Sequence, residues 1–405
     1  MSVLAINGGQ RAIPEGEFKD LPWPPVSEET AESLKQLYLS RAWSFNSKAE
    51  QDFENEFAAY NGAKYGIFMM NGTVTLQAAL IAMGVKPGDE VLVPALTWIA
   101  TIMAVRYIGA TPVFVDIDKD TFAIDCQKAE EAITPKTKAI IPVHLYGSMA
   151  DLTKLTAIAS KYNLQILEDC AHMQGGKWMG KGAGAWGDIG SYSFQQSKTL
   201  AAGEAGICIT SNPDLAEKLY RVKHIGYSRY DKQGQAGTPP PQGLECHNFR
   251  GLAMTAKILS DQLKGLDELL ERYDQFAKIV EEGIADIPGV RVQARGRLAS
   301  RQGYYAFCYV FDGPEWDNIP TGKIQAALAA EGAPTGRTYG PVYSHMLFNL
   351  TPDQYVMPKG GCPVAEHVHD RTFNMLHWKM YEKNNAELLL KAIRKISDNK
   401  KELKA

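Results

Sequence analysis

The sequence predicts an α/β protein: a mostly parallel sheet sandwiched by helices, followed by a smaller α+β domain. From about Ala63 onward, short apolar runs that read as buried strands alternate with helical patterns. After a stretch rich in Gly, Pro, Gln and Tyr between Tyr227 and Gly243, that alternation stops and long helical spacings take over.

The strands expected, in order, are Glu90–Pro94, Thr111–Asp116, Ala139–His144, Leu164–Glu168, Ile189–Phe194 and Gly206–Thr210, with helices such as Thr75–Met83 and Leu152–Tyr162 between them. The segment 227–243, with its Thr238-Pro239-Pro240-Pro241, is a long loop. From Gly251 to about Gly283, apolar residues at helical intervals (Leu252, Ile258, Leu259, Leu263, Leu266, Leu270, Phe276) predict one long helix leaving the large domain. A strand around Tyr304–Phe311 and helices over Thr321–Glu331 and Asn384–Ser397 make up the rest. The expected division is 1–250 for an N-terminal arm and large domain, 251–285 for the connecting helix and 286–405 for the small domain. No internal repeat is visible.

The 405 residues are 45% hydrophobic and 22% charged, with a net charge of −3. That balance offers no electrostatic attraction to nucleic acid or to an anionic membrane, so small anions must be met locally. The six cysteines are scattered without a CxxC pair, which points to a reducing compartment. The stretch Met1–Gly9 lacks the basic and apolar regions of a secretory signal. No apolar run approaches the roughly 20 residues that span a bilayer. The expectation is a soluble, cytoplasmic protein.

Four segments carry chemistry. In Asn71-Gly72-Thr73-Val74-Thr75 a Gly-Thr pair opens a helix, whose first amides lack intrahelical partners and suit a phosphate. Gly72 permits close approach, and the hydroxyls of Thr73 and Thr75 are candidate extra donors; a plain capped helix start would look the same. Trp98, just after a strand in Pro94-Ala95-Leu96-Thr97-Trp98, could stack on a flat heterocycle or fill the core. In Glu168-Asp169-Cys170-Ala171-His172, an ionised carboxylate at a strand end is costly unless paired, and a protonated ring nitrogen would pair it. His172 could bond a ring oxygen or make a structural contact. Glu168 reads as solvent-facing and Cys170 as packing.

The fourth segment is Ser193-Phe194-Gln195-Gln196-Ser197-Lys198. A lysine amine forms an imine with an aldehyde, and, once displaced by a substrate amine, becomes a base. A lone lysine after a strand is usually a solvated surface residue. With Asp169 beside it, the pair meets the two demands of pyridoxal phosphate. Ser193, at the strand end, is placed to reach the phosphate.

Two patterns read as decoys. Gly182-Ala183-Gly184-Ala185-Trp186-Gly187 matches GxGxxG, but a dinucleotide site needs a strand before it and a helix after it; here a strand follows, so a flexible turn is expected. His367, His369 and His377 have no zinc-like spacing, and no metal is expected; surface or interface positions are.

Asp169, His172, Ser193 and Lys198, in that order, resemble the fold-type I pyridoxal-phosphate enzymes, and within them the DegT/StrS-type sugar aminotransferases. The likeness runs from about Trp43 to Ser397, and its most specific pieces add Gly203-Glu204-Ala205-Gly206 and His247-Asn248-Phe249-Arg250. The resemblance implies a seven-stranded sheet in the large domain and pyridoxal 5'-phosphate as cofactor. Gly72, Thr73 and Ser193 would hold the phosphate, Trp98 would stack on the ring, Asp169 would pair with the ring nitrogen, His172 would lie near the ring hydroxyl and Lys198 would form the imine. Asn248 would reach the phosphate of a neighbouring subunit, so a homodimer sharing its sites is implied.

Ile141–Ala150, Gln195–Lys198 and Ser300–Tyr305 look most like the L-glutamine:scyllo-inosose and 2-deoxy-scyllo-inosose aminotransferases. By that likeness an amino group passes from L-glutamate or L-glutamine to a keto-sugar or keto-cyclitol; a nucleotide-linked keto-sugar is the alternative acceptor. Pyridoxamine-dependent sugar dehydratases resemble the family but carry histidine in place of the lysine, so Lys198 favours transamination. A cofactor-bound regulator would bring a basic DNA-binding segment, and none is visible.

Overall fold

The structure, a computed structural model, describes residues 3–232 and 234–404. Met1 and Ser2, which head the stretch read for a secretory signal, lie outside it, as do Gln233 of the long loop and Ala405. The main sheet has seven strands: β1 (Tyr65–Met69), β2 (Glu90–Pro94), β3 (Thr111–Val115), β4 (Thr137–Ile140), β5 (Gln165–Asp169), β6 (Ile189–Ser193) and β7 (Gly206–Thr210). Their order across the sheet is β1-β7-β6-β5-β4-β2-β3. Strand β7 runs antiparallel to both its neighbours, and the other pairings are parallel.

Residues along β2 show why the sheet needs cover on both sides. Val91 and Val93 pack among the helices Gly72–Ala82, Ile99–Tyr107 and Pro213–Lys223 on one face, whereas Leu92 packs with Leu155 and Ile158 of the helix Leu152–Tyr162 on the other. Side chains alternate along a strand, so an unbroken apolar run is what burial on both faces demands. Strand β1 was not among the elements expected; its Ile67-Phe68-Met69 runs without punctuation into the helix-opening Asn71-Gly72. Strand β4 stops at Ile140, short of the expected His144. Pro142 has no amide to donate, and the chain continues beside β5 through a single parallel bridge from Val143 to Asp169.

The stretch expected as one long helix is two, Ala253–Leu263 and Leu266–Ile284. The break falls at Lys264-Gly265, where glycine, worth roughly 1 kcal/mol less than alanine inside a helix, opens the second helix. Beyond it a second sheet forms from β8 (Val290–Val292), β9 (Ala306–Phe311), β10 (Gly336–Arg337) and β11 (Thr372–Leu376), antiparallel throughout in the order β8-β9-β11-β10. Helices Thr321–Ala330 and Asn384–Asp398 supply its packing. Among the described residues no helix is long and apolar enough to cross a membrane.

Two features anchor the segments that lead to the lysine. Phe194, four positions before Lys198, sits in an aromatic knot with its ring centroid 5.5 Å from Phe53 and 5.3 Å from Phe57. Burying one such ring is worth about 1.5–3 kcal/mol, so the loop after β6 departs from a fixed point. The N-terminal arm is pinned by Glu331, wholly buried, which accepts the amides of Ala5 and Ala12 at 2.8 Å each and pairs with Lys395. Further along, the Trp23 indole donates to the Gln196 carbonyl at 3.0 Å.

Helix Lys48–Asn61 is tied to the sheet by charge. Lys223, wholly buried, pairs with Glu50 at 2.5 Å and Glu54 at 2.9 Å, and Glu54 also accepts the Phe68 amide of β1. Removing the cation leaves two carboxylates facing each other out of water. Lys223→Met should therefore cost about 3–5 kcal/mol, read as a marked fall in the urea midpoint of unfolding; an unchanged midpoint would show the charges are not buried as described.

Candidate active site

At the carboxyl ends of the parallel strands lies a cavity of about 640 Å³ lined by Gly72, Thr73, Trp98, Asp169, His172, Ser193 and Lys198. This is where open α/β sheets bind ligands, because loops diverge there and helices begin. Of the residues expected from sequence, the structure gathers all but Asn248 and Thr75; Asn248 is exposed, outside this lining, on a segment bridged to His224.

Gly72 and Thr73 open the helix Gly72–Ala82, and Asn71 caps it by accepting the Val74 amide at 3.0 Å. A Cβ added at Gly72 would come within 2.5 Å of the Ser193 Cβ, so only glycine lets the helix start and the end of β6 form one wall. Thr75 is not a cavity donor as expected. It is fully buried, with its hydroxyl donated to the Gly72 carbonyl at 2.8 Å and shared with Ser191 at 2.7 Å.

Asp169 ends β5 with its carboxylate turned into the cavity. One oxygen accepts from Thr101 Oγ1 at 2.9 Å and the other from the Ala171 amide at 3.1 Å. Burial raises its pKa, against the pull of those two donors and of the Lys198 charge. No ion pair to Asp169 exists among the described residues, so a cation brought into the cavity would complete it. Thr101 was missed from sequence because a threonine three residues past Trp98 has no signature of its own.

His172 is buried between rings, its plane stacked on Tyr305 at 3.8 Å and 10°. Its Nδ1 accepts the Tyr146 amide at 3.2 Å. Burial holds the ring well below the usual histidine range, with the nearby Lys198 charge adding to the effect. The ring is therefore neutral with its proton on Nε2, and what it offers is an N–H donor.

Lys198 is partly accessible through the cavity, with its Nζ 4.3 Å from the Tyr305 ring centroid. Enclosure lowers its pKa to about 8, opposed by the charges of Asp169 and Glu204. The turn that delivers it is closed by Gln195, whose side-chain oxygen accepts the Ser197 amide and hydroxyl at 2.8 Å each. Behind the turn, His377 is wholly buried, bonding Tyr273 at 3.0 Å and the Ser197 carbonyl at 3.1 Å. The surface position expected for His377 is thus wrong; burial keeps it neutral, with a pKa of about 3. His367 is exposed as expected.

Glu168 also departs from expectation. Side chains alternate along β5, so with Asp169 facing the cavity Glu168 faces the opposite side, where it is wholly buried. The GxGxxG stretch is neither a dinucleotide loop nor a loose turn: the amides of Gly184, Trp186 and Gly187 donate to the Glu168 carboxylate at 2.8, 2.8 and 2.7 Å. Its glycines cradle an anion, and the anion is the protein's own side chain.

Trp98 forms a further wall, tilted against Tyr339 at 5.3 Å and edge-on to His345 at 5.3 Å. The site thus offers helix-start amides at one end, an indole beside them, an unpaired buried carboxylate, an N–H donor and an amine of lowered pKa. A phosphorylated pyridine aldehyde fits that donor set: phosphate to the amides, ring nitrogen to the carboxylate, aldehyde to the amine. A lysine and a carboxylate so placed on this sheet define a pyridoxal-phosphate enzyme of the fold-type I class.

The chain belongs to the DegT/DnrJ/EryC1/StrS aminotransferase family, which matches residues 25–394. It is a pyridoxal-phosphate-dependent aminotransferase acting on sugars or cyclitols. A Micromonospora echinospora protein provisionally named an L-glutamine:3-amino-2,3-dideoxy-scyllo-inosose aminotransferase is 34% identical over 418 residues, covering 98% of this chain and 97% of that one. The L-glutamine:2-deoxy-scyllo-inosose aminotransferase of the same organism is 30% identical over the whole of both chains. Among solved structures, DesI in the presence of its TDP-sugar product superposes with a TM-score of 0.83 at 26% identity, covering 99% of this chain and 97% of that one.

The lowered lysine has a kinetic consequence. Only the neutral amine attacks an aldehyde, so covalent capture of pyridoxal phosphate by cofactor-free protein should speed up with pH and level off above about 8. A rate still climbing toward pH 10, the behaviour of a solvated lysine, would contradict the environment described.

Proposed function

We propose that this enzyme moves an amino group from L-glutamine or L-glutamate to a keto-cyclitol of the scyllo-inosose kind, with no nucleotide attached. The observation that carries this is the charge of the cavity wall. Lys198 is the one cation among its described lining residues, and the polar lining not assigned to the cofactor includes Glu204, Gln195, Ser197, Tyr305 and Tyr339. A nucleoside diphosphate would meet a carboxylate there, whereas a neutral polyol meets acceptors and hydroxyls. The relatives named for glutamine and scyllo-inosose compounds support the same assignment.

The lining of the cavity supports a role for each residue. The amides at Gly72 and Thr73, with the Ser193 hydroxyl, would hold the phosphate, and Trp98 would stack on the ring. Asp169 would keep a proton on the ring nitrogen, the counter-charge its buried carboxylate lacks. His172 would donate Nε2–H to the ring oxygen. Bound pyridoxal phosphate supplies an aldehyde for the donor amine and a ring that takes up the electron pair left when a proton departs. Lys198 would hold the aldehyde and, freed by the donor amine, its Nζ would take up the proton leaving the donor carbon and give it back, with one water consumed as the donor leaves as a 2-oxo acid. The same transfers run in reverse on the keto acceptor. Tyr305, whose ring centroid lies 4.3 Å from Nζ, would screen one side of the amine.

Asn248 would act across a homodimer. Its exposure outside its own cavity supports a reach to a second copy's phosphate, and exposed Met70 and Leu252 would offer apolar surface for that contact.

Loading the protein as its pyridoxamine phosphate form and offering ketones one at a time tests the acceptor. A scyllo-inosose should restore the aldehyde-form spectrum; restoration by a nucleotide-linked keto-sugar alone would overturn the assignment. Asp169→Asn should still bind the phosphate end yet lose on the order of 10²-fold in kcat, the scale on which buried electrostatic partners act. Turnover equal to the parent would remove Asp169 from its role.

A further inference from the structure

We propose, on the footing of the cofactor assignment above, that the buried His144–Glu168 pair is a positioning device, holding Asp169 and His172 in register from the far side of the sheet. Neither residue lines the cavity, and both are wholly buried. Each is nevertheless one bond removed from a residue that does.

The pair is fully specified. Glu168 Oε2 accepts from His144 Nε2 at 3.0 Å and the Gly184 amide at 2.8 Å, while Oε1 accepts the Trp186 and Gly187 amides. On the other side of the imidazole, Nδ1 accepts the Ala150 amide at 3.2 Å. An Nδ1 that accepts cannot carry a proton, so His144 is a neutral donor through Nε2, fixed at both ends. His144, Glu168 and Cys170 place ligand atoms within 4.8 Å of one another, as a metal site would. With four donors already on its two oxygens, the Glu168 carboxylate has no lone pair left to give.

The backbone carries the consequence to the cavity. The His144 amide donates to the Asp169 carbonyl at 3.1 Å, and the Asp169 amide donates to the Pro142 carbonyl at 2.9 Å. Segment 142–144 is thereby laced to the end of β5 by main chain and, through His144 and Glu168, by side chain. Two residues on, Tyr146 adopts a left-handed φ of 59°, unusual for a tyrosine, and from there its amide meets His172 Nδ1. Its hydroxyl accepts the Tyr339 amide at 2.7 Å. The amide that sets the His172 tautomer therefore sits on a segment whose register is locked by Glu168.

A buried acid costs several kcal/mol before its donors are counted, and an apolar pair would fill the same space more simply. What the polar pair adds is a single register, since sliding segment 142–146 by one residue would strand the carboxylate. The glycine loop is part of the device: Gly184 has a φ of 76°, and a Cβ there would lie 2.9 Å from the Tyr192 ring.

The test uses full-length, cofactor-loaded protein and three variants. His144→Asn keeps an acceptor for Ala150 but is too short to reach Glu168; His144→Gln can do both; Glu168→Gln removes the charge and presents an amide to donors. His144→Asn and Glu168→Gln should release pyridoxal phosphate on the order of tenfold more readily, the loss typical of outer-shell contacts at metal sites. They should also shift the pH midpoint of the bound cofactor's absorbance, while His144→Gln stays within about twofold of the parent. A fall in thermal midpoint with cofactor affinity and pH midpoint unchanged would make the pair purely structural and overturn the proposal. Failure of His144→Gln to rescue would do the same. Should the parent protein itself take up no cofactor, the assignment beneath both proposals falls, an outcome distinct from unaltered variants.

Discussion

Everything in the site depends on keeping a carboxylate and an amine poorly solvated within one cavity. Asp169 ends β5 and Lys198 lies on the turn that follows the adjacent strand β6, and each is moved off its ordinary pKa chiefly by the loss of water. The surrounding structure limits that cost without removing it. Thr101 and the Ala171 amide supply two hydrogen bonds to the acid, and the Tyr305 ring lies beside the ammonium. What remains unmet is a cation for Asp169 and a carbonyl for Lys198, and a protonated pyridine aldehyde is both.

The rest of the fold supports that arrangement from behind. Phe194 is locked among aromatic rings, His377 holds the Ser197 carbonyl, Trp23 of the N-terminal arm holds the neighbouring Gln196 carbonyl, and Glu168 with His144 laces segment 142–146 to β5. The buried polar groups among these, His144, Glu168 and His377, are all hydrogen-bonded, as groups removed from water must be. The small sheet contributes through Tyr305, which precedes β9, and Tyr339, which follows β10. The acceptor wall thus draws on both sheets, whereas Asp169 and Lys198 come from the main sheet alone.

Much of this was legible in the sequence because strand ends and helix starts are written locally. Leu164–Asp169 shows an apolar run closing on an acid, Ile189–Phe194 shows the alternation of a strand ahead of the lysine, and the Gly72-Thr73 helix start needs no tertiary information. Partners distant in sequence were not legible. Nothing near Glu168 says that amides 184, 186 and 187 will surround it, although alternation along β5 already places it opposite Asp169. His377 reads as a surface residue until the Ser197 carbonyl is seen beside it, and Thr75 reads as a donor until Ser191 claims its hydroxyl. The helix break at Lys264-Gly265 did carry a signal, a glycine inside an amphipathic run, which the strength of the apolar spacing overrode.

The central claim is that the buried Asp169 carboxylate stands opposite a protonated ring nitrogen. Nitrogen-15 NMR of the protein loaded with ring-labelled pyridoxal phosphate measures that directly. The account predicts a protonated pyridinium shift that persists across neutral pH. An unprotonated shift at neutral pH would contradict it, whatever the activity of the preparation.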